Sequence, residues 1–257
     1  MNYFILRIPF LAGLLTLLLY GHTFGQEIDT DKELPPLEKT GNGALLIDKF
    51  EDDTIGSLPW EWYNRDGKRK AVHPEERKLF HYSIKEENGN KFLHYEHTDA
   101  RHLNFPLLNR PNLNIYEYPI LSWKWRVKKM PEGGDENSSD YNDVAASIYV
   151  VFDIGRVALF KKVPKSIRYT WSTTQPEGEE FSKLFGNQKI VVVESGPKNM
   201  GKWQTFQRNI VEDYRRLFGD DPPETPIAIL LLSDGDSTNS LAIADYDNIV
   251  LKRFKSN

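Results

Sequence analysis

The sequence predicts an all-β fold, a jelly-roll-like β-sandwich with one or two short helices, and three observations carry that prediction. First, Leu121, Trp123, Trp125 and Val127 alternate with Ser122, Lys124 and Arg126. Val144, Ala146, Ile148, Val150 and Phe152 alternate in the same way with Asp143, Ala145, Ser147, Tyr149 and Val151. A period of two marks a strand that buries one face. Second, ten short runs are separated by turn signals such as Asn88-Gly89, Pro131-Glu132-Gly133-Gly134 and Asp234-Gly235. The runs cover 45–50, 79–86, 90–97, 121–127, 143–152, 166–172, 189–194, 202–207, 226–233 and 242–252. Third, the chain holds 6 Trp, 12 Tyr and 14 Phe against 3 Met, a bias that suits pleated, half-buried surfaces more than a helical bundle. Many short strands with few helices bury their apolar faces as two layered sheets or a barrel.

Along the chain, Arg7 is the only charge before Glu27, and Phe10 to Tyr20 is almost wholly apolar. That run is far shorter than the about 20 residues of a membrane-spanning helix and fits the apolar part of a secretory signal. Thr23 and Gly25 put small residues where a signal peptidase reads, so a signal peptide over 1–25 is expected, with no transmembrane segment after cleavage. Residues 26–43 are acidic, polar and broken by Pro35-Pro36, the composition of a flexible leader. The remainder, 44–257, shows no repeat and no second linker and reads as a single β-sandwich domain. Within it, Asn209 to Phe218 places Ile210, Tyr214, Leu217 and Phe218 on one side of a helix. Asn209 is its N-cap, Glu212 and Asp213 sit in the first turn, Arg215 and Arg216 near the last, and Gly219 closes it. Such a helix would plug one end or cover one edge of the sandwich.

Composition removes several function classes. There are 33 Lys+Arg against 37 Asp+Glu, a net charge of -4 without a basic tract, so no nucleic-acid partner is expected. The absence of cysteine excludes disulfides, thiolate zinc sites, iron–sulfur ligation and a cysteine nucleophile. No Gly-x-Ser-x-Gly elbow, phosphate-binding loop or dinucleotide fingerprint occurs.

A set of ordered motifs points to a family. These are Phe50-Glu51, L-S-W-K-W-R-V at 121–127, D-V-A-A-S-I-Y-V-V-F at 143–152, Y-T-W at 169–171, W-x-x-x-x-R-N at 203–209, D-Y-R-x-x-F-G at 213–219 and D-G-D-S-T at 234–238. Over residues 45 to 252 the chain resembles an uncharacterised family of exported bacterial proteins known only as a domain of unknown function. The resemblance implies export and a β fold, and no activity. It also implies an arginine at the position of Ser147, where this chain departs. A looser likeness is to jelly-roll carbohydrate-binding modules, whose opening strand with Phe-Glu and closing strand like A-D-Y-D-N-I-V-L (244–251) are often neighbours.

Candidate site residues fall into four groups. Trp123 and Trp125 share a face with Leu121 and Val127 and read as core. The opposite face carries Ser122, Lys124 and Arg126. If neighbouring strands align, Asp143, Ser147, Tyr149 and Arg168 join it in one mixed-charge surface with an aromatic edge, the combination that sugar recognition needs. Its excess of positive charge points to an anionic sugar, and the plain alternative is a solvated outer sheet face. Tyr169 and Trp171 stack on a ring or extend the core. Asp234 and Asp236, with Ser237 and Thr238, form either a tight turn, a calcium site or a ligand or catalytic carboxylate pair. Asp245 and Asp247 with Glu51 are a second candidate for a cation. His73, His81, His94 and His97 read as surface or core histidines without metal-ligand spacing.

The expectation is therefore an exported protein, periplasmic or extracellular, that recognises carbohydrate at the cell envelope. Two alternatives stand beside it: a glycan-active enzyme using carboxylates near Asp234 and Asp236, and an envelope protein-interaction module.

Overall fold

The computed structural model describes residues 33–63, 81–158 and 161–254, and the side chains of 154–162 are not among those described. The expected signal peptide, and His73, lie outside the described residues. Twelve strands occur among the described residues: β1 (Leu45–Asp48), β2 (Tyr82–Glu87), β3 (Asn90–His97), β4 (Arg101–Pro106), β5 (Ile120–Lys129) and β6 (Val144–Ala158) in the first half, then β7 (Lys161–Ser172), β8 (Glu180–Lys183), β9 (Gln188–Ser195), β10 (Gln204–Asn209), β11 (Ala228–Asp234) and β12 (Ala242–Lys252). They form two sheets. Sheet 1 runs β10-β5-β12-β3-β2, with β1 also paired to β12, and sheet 2 runs β4-β11-β6-β7-β9-β8. Every pairing is antiparallel except β7 with β9. The opening and closing strands, β1 and β12, are neighbours. The fold is the all-β sandwich that the periodicity predicts.

Alternation decides what meets between the sheets. From β5, Leu121, Trp123, Trp125 and Val127 point inward and are at most 1% exposed; from β7, so are Tyr169 and Trp171. Trp123 stacks on Tyr169 across the layers at 5.5 Å, and Trp125 meets Trp171 at 6.4 Å. Fully burying large side chains of this kind is worth about 1.5–3 kcal/mol each, which makes this aromatic seam a main cohesive element of the sandwich.

The helix α1 (Ile210–Phe218) follows the predicted capping. Asn209 accepts a hydrogen bond from the Glu212 N–H (3.2 Å), and Gly219 adopts a left-handed φ of 75°. Its buried carboxylate, Asp213, accepts from Arg208 Nε (2.8 Å) and Nη2 (2.6 Å), Arg216 Nη2 (2.8 Å) and the Tyr169 hydroxyl (2.8 Å). Burial alone raises the Asp213 pKa, but these donors and the adjacent guanidinium charges hold it below the usual carboxylate range. The helix is thus tied to the sandwich by a salt-bridged carboxylate and by Tyr214, whose ring lies 4.7 Å from Phe152.

Two expectations need correction. Sequence periodicity overlooks β4 and β8, the two edge strands of sheet 2. Edge strands are kept short and polar because they expose unpaired backbone groups, and R-H-L-N-F-P and E-F-S-K carry only two apolar side chains and one. The leader over 26–43 is not free over its described part. Leu37 is 4% exposed, Asn112 pairs with both its N–H and its carbonyl at 2.8 Å, and Arg110 Nη1 donates to the Pro35 carbonyl. A single side-chain amide that satisfies both backbone groups of one residue is a tertiary contact that local composition does not reveal.

Candidate functional site

The register of sheet 2 arranges its outward side chains in rows. One row reads His102–Leu232–Ser147–Thr170–Val192 from β4 to β9. The next reads Asn104–Leu230–Tyr149–Arg168–Ile190–Phe181 across all six strands. Leu230, Leu232, Tyr149, Ile190 and Val192 are buried, so apolar side chains stand between the central polar groups and both edges, with His102 and Asn104 at the β4 edge itself. Hydroxyl and guanidinium groups, from Ser147, Thr170 and Arg168, occupy its centre. On β7, inward Tyr169 and Trp171 alternate with outward Arg168, Thr170 and Ser172, so one strand supplies both the seam and the polar face.

Arg168 is 1% exposed. Its Nε donates to Ser147 Oγ at 2.9 Å, Nη1 makes a long 3.4 Å contact with Asn142 Oδ1, and Nη2 has no partner. The guanidinium carbon lies 5.5 Å from the centre of the Tyr149 ring, which meets His102 edge-on at 6.3 Å. Arg168 forms no salt bridge with any carboxylate of the described residues, although Glu136 is fully buried over the same strand. Glu136 accepts instead from Ser172 Oγ (2.6 Å) and Thr170 Oγ1 (3.2 Å). Burial raises the Glu136 pKa, against the opposing pull of the Arg168 charge. Asp234 is pushed up to about 8 by burial and then by repulsion from Asp236 and Asp143. Lys183, which donates to the Ser138 carbonyl, is lowered to about 8 by burial and then by Arg168. The centre of this face therefore holds one buried cation, Arg168, while burial works against ionisation of Glu136 and Asp234.

The outer face of sheet 1 is built differently. Arg126, 7% exposed, gives Nε to Asp245 Oδ2 at 2.8 Å and Nη1 to Glu87 Oε2 at 2.7 Å, and lies 4.7 Å from the centre of the Trp203 ring. Asp245 also meets His94 Nδ1 at 2.6 Å and Lys128 Nζ at 3.1 Å. Burial pushes the Asp245 pKa up, but the His94 hydrogen bond and the surrounding positive charges bring it below the ordinary carboxylate value. Lys124 pairs with Asp247 at 3.6 Å. Each cation here has its anion.

This arrangement corrects the expected single polar surface. Lys124 and Arg126 lie on one outer face of the sandwich, Tyr149 and Arg168 on the other, because β5 pairs with β10 and β12 while β6 pairs with β7 and β11. Tyr169 and Trp171 are core residues and leave the ligand-binding set. Asp143, fully buried, accepts from Ser237 N (3.1 Å), Thr238 N (2.6 Å) and Thr238 Oγ1 (2.6 Å) and so ties down the D-G-D-S-T turn. At Gly235 a Cβ would meet the Ser240 carbonyl at 2.0 Å, which leaves glycine as the residue that fits there. Asp245 and Asp247 do not join Glu51, which accepts from the Lys91 N–H (3.3 Å).

Two clusters among the described residues have metal-ligand chemistry. Asp143, Asp234 and Asp236 each offer an oxygen within 4.8 Å of the others, a donor set suited to a hard cation such as calcium, though both Asp143 oxygens already accept from the turn. His81, His97 and Asp99 form the other. Its imidazoles stack in parallel at 3.4 Å, and Asp99 is held by Arg101 Nη2 at 2.7 Å. Parallel rings direct their nitrogen lone pairs into separate planes, a poor fit to one ion.

Of the residues expected from the sequence, the structure places Tyr149 and Arg168 on this face and Asp234 at the end of β11; Glu136, Asn142, Lys183 and Tyr141, which lie on or beside it, are not among those expected. Glu136, Tyr141 and Asn142 lie on the loop between β5 and β6; Tyr141 is 56% exposed and adjoins the Asn142 that touches Arg168. The available signal was an aromatic residue and an amide inside the polar stretch S-S-D-Y-N-D.

No curated protein matches this chain. Among solved structures it is similar to the family 11 carbohydrate-binding module of the cellulosomal cellulase Lic26A-Cel5E of Clostridium thermocellum, at 11% identity and a TM-score of 0.40, covering 85% of this chain and 99% of that one. It is also similar to a carbohydrate-binding module specific for non-crystalline cellulose, at 16% identity and a TM-score of 0.38, covering 86% and 99%. A third, in complex with β-1,4-galactotriose, shows 11% identity and a TM-score of 0.35, covering 80% and 94%. Residues 60–250 match the family described as protein of unknown function (DUF3047), and the chain belongs to that family.

Proposed function

We propose that this protein recognises carbohydrate at the cell envelope, with the outer face of sheet 2 as its binding surface. The observation that supports this reading is the mixture among the outward side chains of that face: Tyr149 lies beside Leu230 and Leu232, all of them nearly buried, while Ser147, Arg168 and Thr170 place polar groups in the centre of the rows. A pyranose has the matching character, with C–H faces that pack on rings and equatorial hydroxyls that meet planar or hydroxyl donors. Exposed Tyr141 would add a ring beside the polar centre. A glycan-array screen of the purified protein tests the reading, with retention of a defined glycan class as the expected result. Silence across acidic and neutral glycans alike contradicts it. Export is part of the proposal, and cell fractionation with N-terminal sequencing should find a mature protein beginning at Gln26 outside the cytoplasm.

A second reading, a glycan-active enzyme, is favoured by one observation. Burial, with the charges of Asp236 and Asp143, pushes the Asp234 pKa up to about 8, the direction a general acid needs. Analysis of any retained glycan for shortened products separates the two readings.

A further inference from the structure

Building on the carbohydrate reading, we propose that the ligand is an acidic saccharide whose uronate carboxylate docks on the Nη1–Nη2 edge of Arg168. The argument starts from the cost of burying charge. A guanidinium taken out of water is stable only when an anion and hydrogen-bond acceptors replace its hydration. Arg168 is 1% exposed, makes no salt bridge with the described carboxylates, and leaves one of its terminal nitrogens without any partner. The carboxyls whose titration the Arg168 charge affects, Glu136 and Asp234, make no ion pair with it. Glu136 is engaged by two hydroxyls, and Asp234 accepts from the Asp236 N–H (3.2 Å) at the end of β11.

Geometry then selects the kind of anion. Nε is occupied by Ser147, so one edge of the fork remains, formed by Nη2 and by Nη1, whose only contact is the long one to Asn142. A single planar edge with two parallel N–H donors matches the two oxygens of a carboxylate. A tetrahedral sulfate has a third oxygen to satisfy. Lys183, on the same face two residues along β8 from Phe181, is near enough to Arg168 for the guanidinium charge to lower its pKa. Tyr149, whose ring lies 5.5 Å from the guanidinium carbon, is the aromatic group beside that edge for the sugar ring to which the carboxylate is attached.

Isothermal titration of the purified protein tests this with oligomers of galacturonic and glucuronic acid, their carboxyl-reduced neutral counterparts, and sulfated oligosaccharides that lack carboxylates. The proposal expects the uronates to bind and the reduced forms to bind about 100-fold more weakly, the scale of a lost charge-assisted bidentate contact. Arg168→Gln should lose the same factor for uronates alone, while its unfolding midpoint in urea stays level or rises, because an uncompensated buried charge is removed. Arg168→Lys, which keeps the charge without the planar edge, should fall between them. A merely structural Arg168 would instead lower the midpoint and leave selectivity for the carboxylate unchanged. Equal binding of uronates and neutral counterparts, or preference for the sulfated set, overturns the inference and leaves carbohydrate recognition standing. Absence of binding to every saccharide overturns both.

Discussion

Arg126 and Arg168 are both less than a tenth exposed, one on the outer face of each sheet, and each leaves Nη2 without a hydrogen-bond partner. Around Arg126 the sequence supplies Asp245 and Glu87 within hydrogen-bonding distance, and Trp203 beside the guanidinium. Around Arg168 it supplies a serine, an asparagine and a tyrosine ring. The difference teaches how to separate a charge that builds a fold from one kept for a partner. A buried cation with its own carboxylate belongs to the structure. One surrounded by a serine, an asparagine and a ring, with no ion pair to a described carboxylate, is the one assigned to an anionic ligand.

The comparison can be broken most easily at Arg126. Arg126→Met leaves Asp245, fully buried, with part of its charge uncompensated, and should cost about 3–5 kcal/mol in urea unfolding. Arg168→Met should cost far less or stabilise. Equal losses at the two sites would dissolve the distinction.

A pH series sharpens the contrast. Asp234 is raised from 3.8 to about 8 by burial and like charges, so between those values the folded state holds a proton that the unfolded state has released. That group's contribution is therefore most favourable below the unfolded value and is lost as pH rises through the window. Asp234→Asn should be more stable than the parent at pH 8, by on the order of a few kcal/mol, with the gain vanishing near pH 4. Asp245 has the opposite sign: its lowered pKa contributes stability above the unfolded value, lost as pH falls. Asp245→Asn should accordingly lose most at neutral pH and least in acid. A variant at 234 whose advantage grows in acid would contradict the assignment.

Smaller effects test the rings. Tyr141→Ala should weaken glycan binding about tenfold, the order of one stacking contact, with an unchanged unfolding midpoint because the ring is 56% exposed. Trp203→Ala, against Arg126 on sheet 1, should leave glycan binding unaltered. Calcium is expected to have the least effect. Both Asp143 oxygens already accept from the D-G-D-S-T turn, so millimolar calcium should shift the melting temperature by no more than about 1 °C.

Much of the sandwich was legible in the sequence because its signals are local. Alternation along 121–127 placed Trp123 and Trp125 inside, and the caps at Asn209 and Gly219 set the helix. The edge strands β4 and β8 carry too little apolar pattern to be read. The site was half legible. Period two correctly put Tyr149 and Arg168 on the face opposite Tyr169 and Trp171, but it carries no information on which strands share a sheet. Assigning Lys124 and Arg126 to the same surface as Arg168 needed the pairing of β5 with β12 and of β6 with β7, which is set by contacts between residues far apart in the chain. Glu136 and Asn142 reach the site from a loop whose position only tertiary packing defines.

The central claim is that ligand binds sheet 2 at Arg168 and leaves sheet 1 untouched. Amide hydrogen exchange with and without a saturating uronate oligomer tests it most directly. Slowed exchange should concentrate in the loop 135–142 and in β6 and β7 around Ser147 and Arg168, with β5, β12 and the Trp203 region unchanged. Protection centred on Trp203, Arg126 and Asp245 would contradict the account and move the binding face to the other side of the sandwich.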